Sequence, residues 1–204
     1  QLAAKRRTLA DALSRIGRLA VPENLVIHAS PSPYGYRGRT RVLVSEQAVG
    51  YRQQNSHELC AVDACPVLLP EVDQALGVLA ERCRAAASGG MPVASGDWEI
   101  AVGDSAPARL WPLGADARGT ARKASNVFIT LGGDRFRVSP GVFTQANALL
   151  VEKLCGAVVE AATEAGASRD YCLELFAGAG FLTLGLARVF DFVVAVESNP
   201  LAIA

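Results

Sequence analysis

Leu173-Glu174-Leu175-Phe176-Ala177-Gly178-Ala179-Gly180 is the stretch on which the reading of this chain turns. It joins an apolar run, Tyr171 to Phe176, to a helix predicted over Phe181 to Val189, and a second apolar run follows from Phe192 to Val196. Continuous apolar strands around a short helix are the pattern of a parallel βαβ unit buried on both faces. Gly178 and Gly180 let the backbone turn sharply and let a ligand lie against it where a Cβ would intrude. Glu197 stands 17 residues after Gly180, at the end of the second strand. A carboxylate there can accept both hydroxyls of a ribose. Strand, glycine loop, helix, strand and acid together describe a nucleoside-binding site at the C-terminal edge of a parallel sheet.

Two ligand classes share that design. Dinucleotide sites usually carry a third glycine for close helix–strand packing, and Thr183 occupies that place here. S-adenosylmethionine sites need no pyrophosphate cradle and often carry an acid inside the first strand, which Glu174 supplies. The plain alternative is a tight turn beside a surface glutamate.

Upstream, the helix predicted over Gln145 to Ala165 ends at the breaker Gly166-Ala167-Ser168. Before it, residues 25–138 read mostly as strands in hairpins: Leu25 to His28, Tyr36 to Ser45, Val49 to Gln53, Glu58 to Val62, Trp98 to Val102, Ala108 to Trp111, Asn126 to Thr130 and Arg135 to Val138. One helix interrupts them, Pro70 to Ala87, with Val72, Leu76, Val78, Leu79 and Cys83 inward. Leu2 to Leu19 reads as an amphipathic helix with Leu9, Leu13 and Ile16 on one face. The change of pattern sets a domain boundary at Ser139-Pro140-Gly141, giving units 1–138 and 139–204.

The 204 residues carry 20 basic and 20 acidic side chains, and half of them are apolar, so a sizeable core can form and disorder is excluded. No apolar run reaches the ~18 residues of a membrane span, and Gln1 to Arg7 has no apolar stretch of a secretory signal. Five cysteines do not read as a disulfide framework. A cytoplasmic protein without membrane partners is expected, as a monomer. Net neutrality conceals an asymmetry: residues 1–59 carry nine Lys and Arg against four acids, and the remainder balances them with net negative charge. A basic half is a hint of an anionic partner. In Tyr36 to Ser45, Arg37, Arg39 and Arg41 alternate and so share one strand face, with Tyr34 and Tyr36 offering stacking surfaces for unpaired bases.

Taken in order, these motifs resemble the RNA uracil-carbon-5 methyltransferases, which use S-adenosylmethionine to make 5-methyluridine in ribosomal or transfer RNA. The resemblance runs from the Lys5-Arg6-Arg7 helix through Tyr36-Arg37-Gly38-Arg39-Thr40-Arg41 and the return strand Val49-Gly50-Tyr51-Arg52. It continues through Ser56-His57-Glu58, Asp63-Ala64-Cys65-Pro66 and Phe143-Thr144-Gln145-Ala146-Asn147 to the glycine loop.

The resemblance implies that Gln145, Phe176 and Glu197 hold S-adenosylmethionine, with Gly178 and Gly180 shaping the loop. Phe181 belongs to the same set, at a place where that family commonly has Asn. Tyr36, Arg37, Arg39 and Arg41 are the RNA candidates, with ribosomal RNA ahead of transfer RNA. Cys65 matches the fourth ligand of the four-iron, four-sulfur cluster that many members carry, without its three partners. The implied mechanism is covalent: a cysteine thiolate adds to carbon 6 of uracil, carbon 5 takes the methyl group, and a base removes the carbon-5 proton. No residue of this chain matches the nucleophile or the base. The resemblance therefore implies a fragment lacking both ends and inactive by itself.

The expected fold is α/β: a mixed central domain with antiparallel strands, then the start of a Rossmann-like methyltransferase domain. Two other functions fit the residues, a nucleotide-dependent (NAD or FAD) oxidoreductase using the glycine loop and a non-catalytic RNA-binding module.

Overall fold

The computed structural model describes residues 1–104, 107–113, 126–164 and 168–203. They fall into two compact units, Gln1–Pro31 and Ser32–Ala204. In the first, α1 (Leu2–Asp11) runs into a π-helical turn at Ala12–Ile16, and neither segment buries a residue. The Arg6 guanidinium donates to the Glu23 carbonyl oxygen (3.1 Å), folding the chain back on the helix. Leu25 to His28 forms no strand, contrary to expectation. Two or three apolar residues propose a strand, but only a neighbouring ladder satisfies its backbone.

The second unit is built on an antiparallel sheet of five strands in the order β3-β2-β1-β4-β5. These are β1 (Arg39–Val44), β2 (Val49–Arg52), β3 (Leu59–Ala61), β4 (Gly96–Ala101) and β5 (Arg109–Pro112). Alternation along β1 puts Thr40, Val42 and Val44 on one buried face. There α2 (Pro70–Ala87) packs, with Pro70 at its start and Val72, Leu76, Leu79 and Cys83 buried. Val78, expected inward, is 47% exposed, because it stands two residues from Leu76, on the far side of a 3.6-residue turn.

A hairpin of β6 (Val127–Leu131) and β7 (Asp134–Val138) turns at Gly132-Gly133, both with positive φ. The next helix begins later than expected. Residues 145–147 are not helical, because Ala148 N–H donates to the Tyr36 carbonyl (2.9 Å) and the Asn147 side chain accepts from Leu149 N–H (3.1 Å). A 3-10 turn at Ala148–Leu150 then leads into α3 (Val151–Ala162). Ala165 and the Gly166-Ala167 breaker lie outside the described residues.

β8 (Tyr171–Leu175) and β9 (Phe192–Val196) pair in parallel, joined through the glycine loop and the four-residue α4 (Thr183–Leu186); a last turn, α5 (Pro200–Ile203), follows. The expectation of burial on both faces is corrected. Tyr171, Leu173, Leu175, Phe192 and Val194 are each more than half exposed, since α3 and α4 leave the face carrying them open. Rings Tyr171 and Phe192 stack on that face at 5.5 Å.

A second core crosses residue 139. Ala101, Trp111, Val127 and Val138 pack with Val142, and Ala179, Phe181, Leu201 and Ala202 lie against them. Among the described residues no helix is long and apolar enough to cross a membrane.

Candidate cofactor pocket and its supports

Between β8 and α4 the backbone takes the left-handed region three times, at Phe176 (φ 61°), Gly178 (φ 59°) and Gly180 (φ 81°). Phe176 is the exception in kind. A bulky side chain there is strained by about 1–2 kcal/mol, yet its ring is 87% exposed and gains nothing from burial. Ala177 N–H donates to the Val196 carbonyl (3.1 Å), and Gly180 N–H closes a turn on the Ala177 carbonyl (3.0 Å), so the loop is pinned to the end of β9.

Glu197 completes the pinning. One carboxylate oxygen accepts from Gly178 N–H (2.7 Å) and the other from Asn199 N–H (2.7 Å). Four lone-pair sites leave the carboxylate room for further donors. The N–H groups of Asn199 and then Gly178 hold the ionised form, so its pKa lies below the ordinary glutamate value. The sign follows directly: Glu197 contributes its hold on the loop fully above about pH 4.5, and loses it as pH falls through the lower folded value. The amide resonances of Gly178 and Asn199 are expected to stay fixed as pH falls past 4.5 and to move together only below it. A joint shift centred at or above that value would contradict this assignment.

The loop forms one wall of a pocket of about 90 Å³. Gln145, Phe176, Gly178 and Phe181 line it together, with Phe143, Cys155 and Glu174. Gly180 and Glu197 do not line it, and Glu197 reaches the wall through its bond from Gly178 N–H. Glu174 is buried and accepts from the Thr183 hydroxyl (2.5 Å), which explains why a hydroxyl residue suits the place of a third glycine. Burial pushes the Cys155 thiol up, so it is protonated near neutrality and a poor nucleophile. Phe181 meets Phe136 edge-on at 5.0 Å and also lines an adjoining pocket of about 160 Å³ with Arg39, Asp104, Thr144 and Gln145.

The basic strand is less uniform than its alternation suggests. Arg41 is exposed, whereas Tyr36 and Arg37 are half-buried, and Arg37 donates through Nε to the Arg39 carbonyl (3.0 Å). Arg39 is drawn inward: its side chain is only 12% exposed and pairs with Glu99 at 2.5 Å. Burial lowers its pKa and the Glu99 charge opposes that. Glu99 escaped the sequence reading, although an acid within the apolar run Trp98 to Val102 was its available signal.

Cys65 is half-buried against the α2 core, and its N–H donates to Asp73 (2.7 Å). Among the described residues no three His, Cys, Asp or Glu side chains gather as metal ligands. An iron–sulfur cluster takes four thiolates, so these residues do not by themselves make up such a site.

A strand, a pinned glycine loop and a carboxylate at the next strand end come together in an α/β unit, here fused to an antiparallel sheet. Compared with known protein-family models, the chain matches none. It is 30% identical over 229 residues to the 23S rRNA (uracil(1939)-C(5))-methyltransferase RlmD of Pseudomonas putida, covering 97% of this chain and 50% of that protein. An uncharacterized RNA methyltransferase of Gloeobacter violaceus is 35% identical over 41% of this chain and 20% of its own length. Among solved structures, the Pyrococcus abyssi tRNA (uracil-54, C5)-methyltransferase in complex with S-adenosyl-L-homocysteine shares the fold, with a TM-score of 0.68 at 17% identity. That match covers 100% of this chain and 58% of the other. The chain is similar to RNA uracil-carbon-5 methyltransferases along nearly its whole length, and it spans about half the length of the curated relatives it matches.

Proposed function

We propose that this protein transfers a methyl group from S-adenosylmethionine to carbon 5 of a uridine in RNA, with ribosomal RNA ahead of transfer RNA. The observation that carries the reading is the convergence of Gln145, Phe176, Gly178 and Phe181 on one pocket whose loop is tied to Glu197. In this reading β8, the loop, α4 and β9 open a Rossmann-like methyltransferase domain over residues 139–204, and residues 1–138 form the mixed domain that meets RNA.

The pocket residues suit this cofactor. The Gln145 amide can donate to the carboxylate of its methionine part and accept from the amine. Glu197 retains acceptor capacity for ribose hydroxyls, and the exposed Phe176 ring offers a face for a planar base. α4 is a single short turn, which suits a ligand without a pyrophosphate. When bound, the cofactor supplies an electrophilic methyl group. The covalent route, thiolate addition at carbon 6 followed by loss of the carbon-5 proton, is assigned no nucleophile or base here. Cys155 is held protonated, and Cys172 lies within β8.

For RNA we assign Arg41 the leading contact, supported by Tyr36 and Arg37, while Arg39 acts from the interior. Arg41→Ala is expected to weaken RNA binding across sequences and to reduce the slope of log K against log salt by about 1. An unchanged slope would remove Arg41 from the interface. The function itself is tested in cells, where the protein acts in the cytoplasm as a monomer in this reading. Deleting the gene should remove a 5-methyluridine from ribosomal RNA, read by mass spectrometry of nucleosides. Loss from transfer RNA instead would reassign the substrate, and no loss from either would overturn the proposal.

A further inference from the structure

Arg39 and Glu99 form a buried ion pair on the sheet face opposite α2, at the point where the chain turns toward the pocket. Arg41, not Arg39, stands directly opposite Glu99 in the β1–β4 ladder. The short ion pair nevertheless goes to Arg39, one step along the same face. Both charged ends then reach the segment just before Gln145. Arg39 Nη1 also donates to the carbonyls of Val142 (3.1 Å) and Ser139 (3.4 Å), and the Glu99 oxygen it meets accepts from Gly141 N–H (3.2 Å). Gly141 sits at φ 78°, and one long bond, Val142 N–H to the Ser139 carbonyl (3.2 Å), closes the turn from within. Two residues beyond Val142, Thr144 and Gln145 line both pockets.

The arrangement is a poor choice if stability were its purpose. Glu99 is 3% exposed, and the buried Arg39 Nη2 has no hydrogen-bond partner among the described residues. A well-packed apolar pair in such a place is often as stable or more so. What an apolar pair cannot do is fix three backbone groups of the 139–142 turn at once.

We propose that Arg39 and Glu99 are positioning residues for the cofactor pocket, holding the 139–142 turn so that Thr144 and Gln145 stand against the glycine loop. This rests on the cofactor reading above. Neither residue lines the glycine-loop pocket, although Arg39 lines the adjoining one, and the pair acts on the glycine-loop pocket through the turn.

The test compares this chain with Glu99→Gln and with the double variant Arg39→Met, Glu99→Leu. Three readouts are taken: thermal midpoint, S-adenosylhomocysteine binding by calorimetry, and amide hydrogen exchange. The double variant removes both charges, so its midpoint should equal or exceed that of the unmodified chain. Its affinity should nonetheless fall about tenfold or more, with exchange at Gly141, Val142 and Ala148 faster by a similar factor and the β1–β4 ladder unchanged. Glu99→Gln keeps an acceptor for Gly141 and Arg39 and should recover most of both losses. Should the double variant fail to fold, Glu99→Gln decides alone: a small, local rise in exchange at 141–148 supports the proposal, and none overturns it. A folded double variant with unaltered affinity and exchange overturns it. If the unmodified chain binds no S-adenosylhomocysteine, the cofactor reading fails, and the exchange data still decide the role of the pair.

Discussion

Glu197→Ala is expected to weaken binding of S-adenosylhomocysteine on the order of 100-fold, the largest effect of any single pocket substitution. The variant loses two charge-assisted hydrogen bonds at once, those from Gly178 and Asn199 N–H, together with the acceptor offered to the ribose. Once the carboxylate is gone, the Ala177–Val196 and Gly180–Ala177 backbone bonds are left to hold a loop with three left-handed residues in five. Because Glu197 is partly exposed and is a member of neither core, the thermal midpoint should change little. Calorimetry and a melting curve on one sample check both halves. A tenfold or smaller loss of affinity would show that the loop is shaped without Glu197.

The single variant Glu99→Leu is expected to cost the most stability, about 3–5 kcal/mol, because it strands the Arg39 charge in the interior. For a domain of this size that is a fall in thermal midpoint of roughly 10 °C. Among the described residues Arg39 would keep the Ser139 and Val142 carbonyls and the face of the Trp111 ring, whose centroid is 6.0 Å from the guanidinium carbon. Denaturant unfolding gives the difference. A loss below about 1 kcal/mol would mean that solvent reaches the guanidinium in the native state.

Much of the fold was legible because local signals agreed. Pro70 and the Ser88-Gly89-Gly90 breaker bracket α2 over the span expected, and β9 runs from Phe192 to Val196 as its apolar run predicts. The glycine loop was legible for the same reason, since φ above zero is a property that a sequence records in glycines. Phe176 is the position where that record is silent.

What stayed hidden depends on distant partners. Alternation places Arg37, Arg39 and Arg41 on one strand face but does not say what covers it. The cover over Arg39 comes from Ser139 and Val142, a hundred residues on. The same blindness explains β8 and β9, whose apolar runs propose two buried faces while one stands open. A pattern change at residue 139 marks a change of strand geometry, yet one core runs from Ala101 to Ala202 across it.

The most direct test of the central claim, that the 176–180 loop and the 143–145 segment enclose a nucleoside cofactor of the S-adenosylmethionine type, is a ligand titration followed by amide resonances. S-adenosylhomocysteine should shift Gly178, Gly180, Gln145 and Asn199 together and saturably, while NAD at the same concentration leaves them in place. Saturable shifts with NAD, or none at these four amides with S-adenosylhomocysteine, would contradict it.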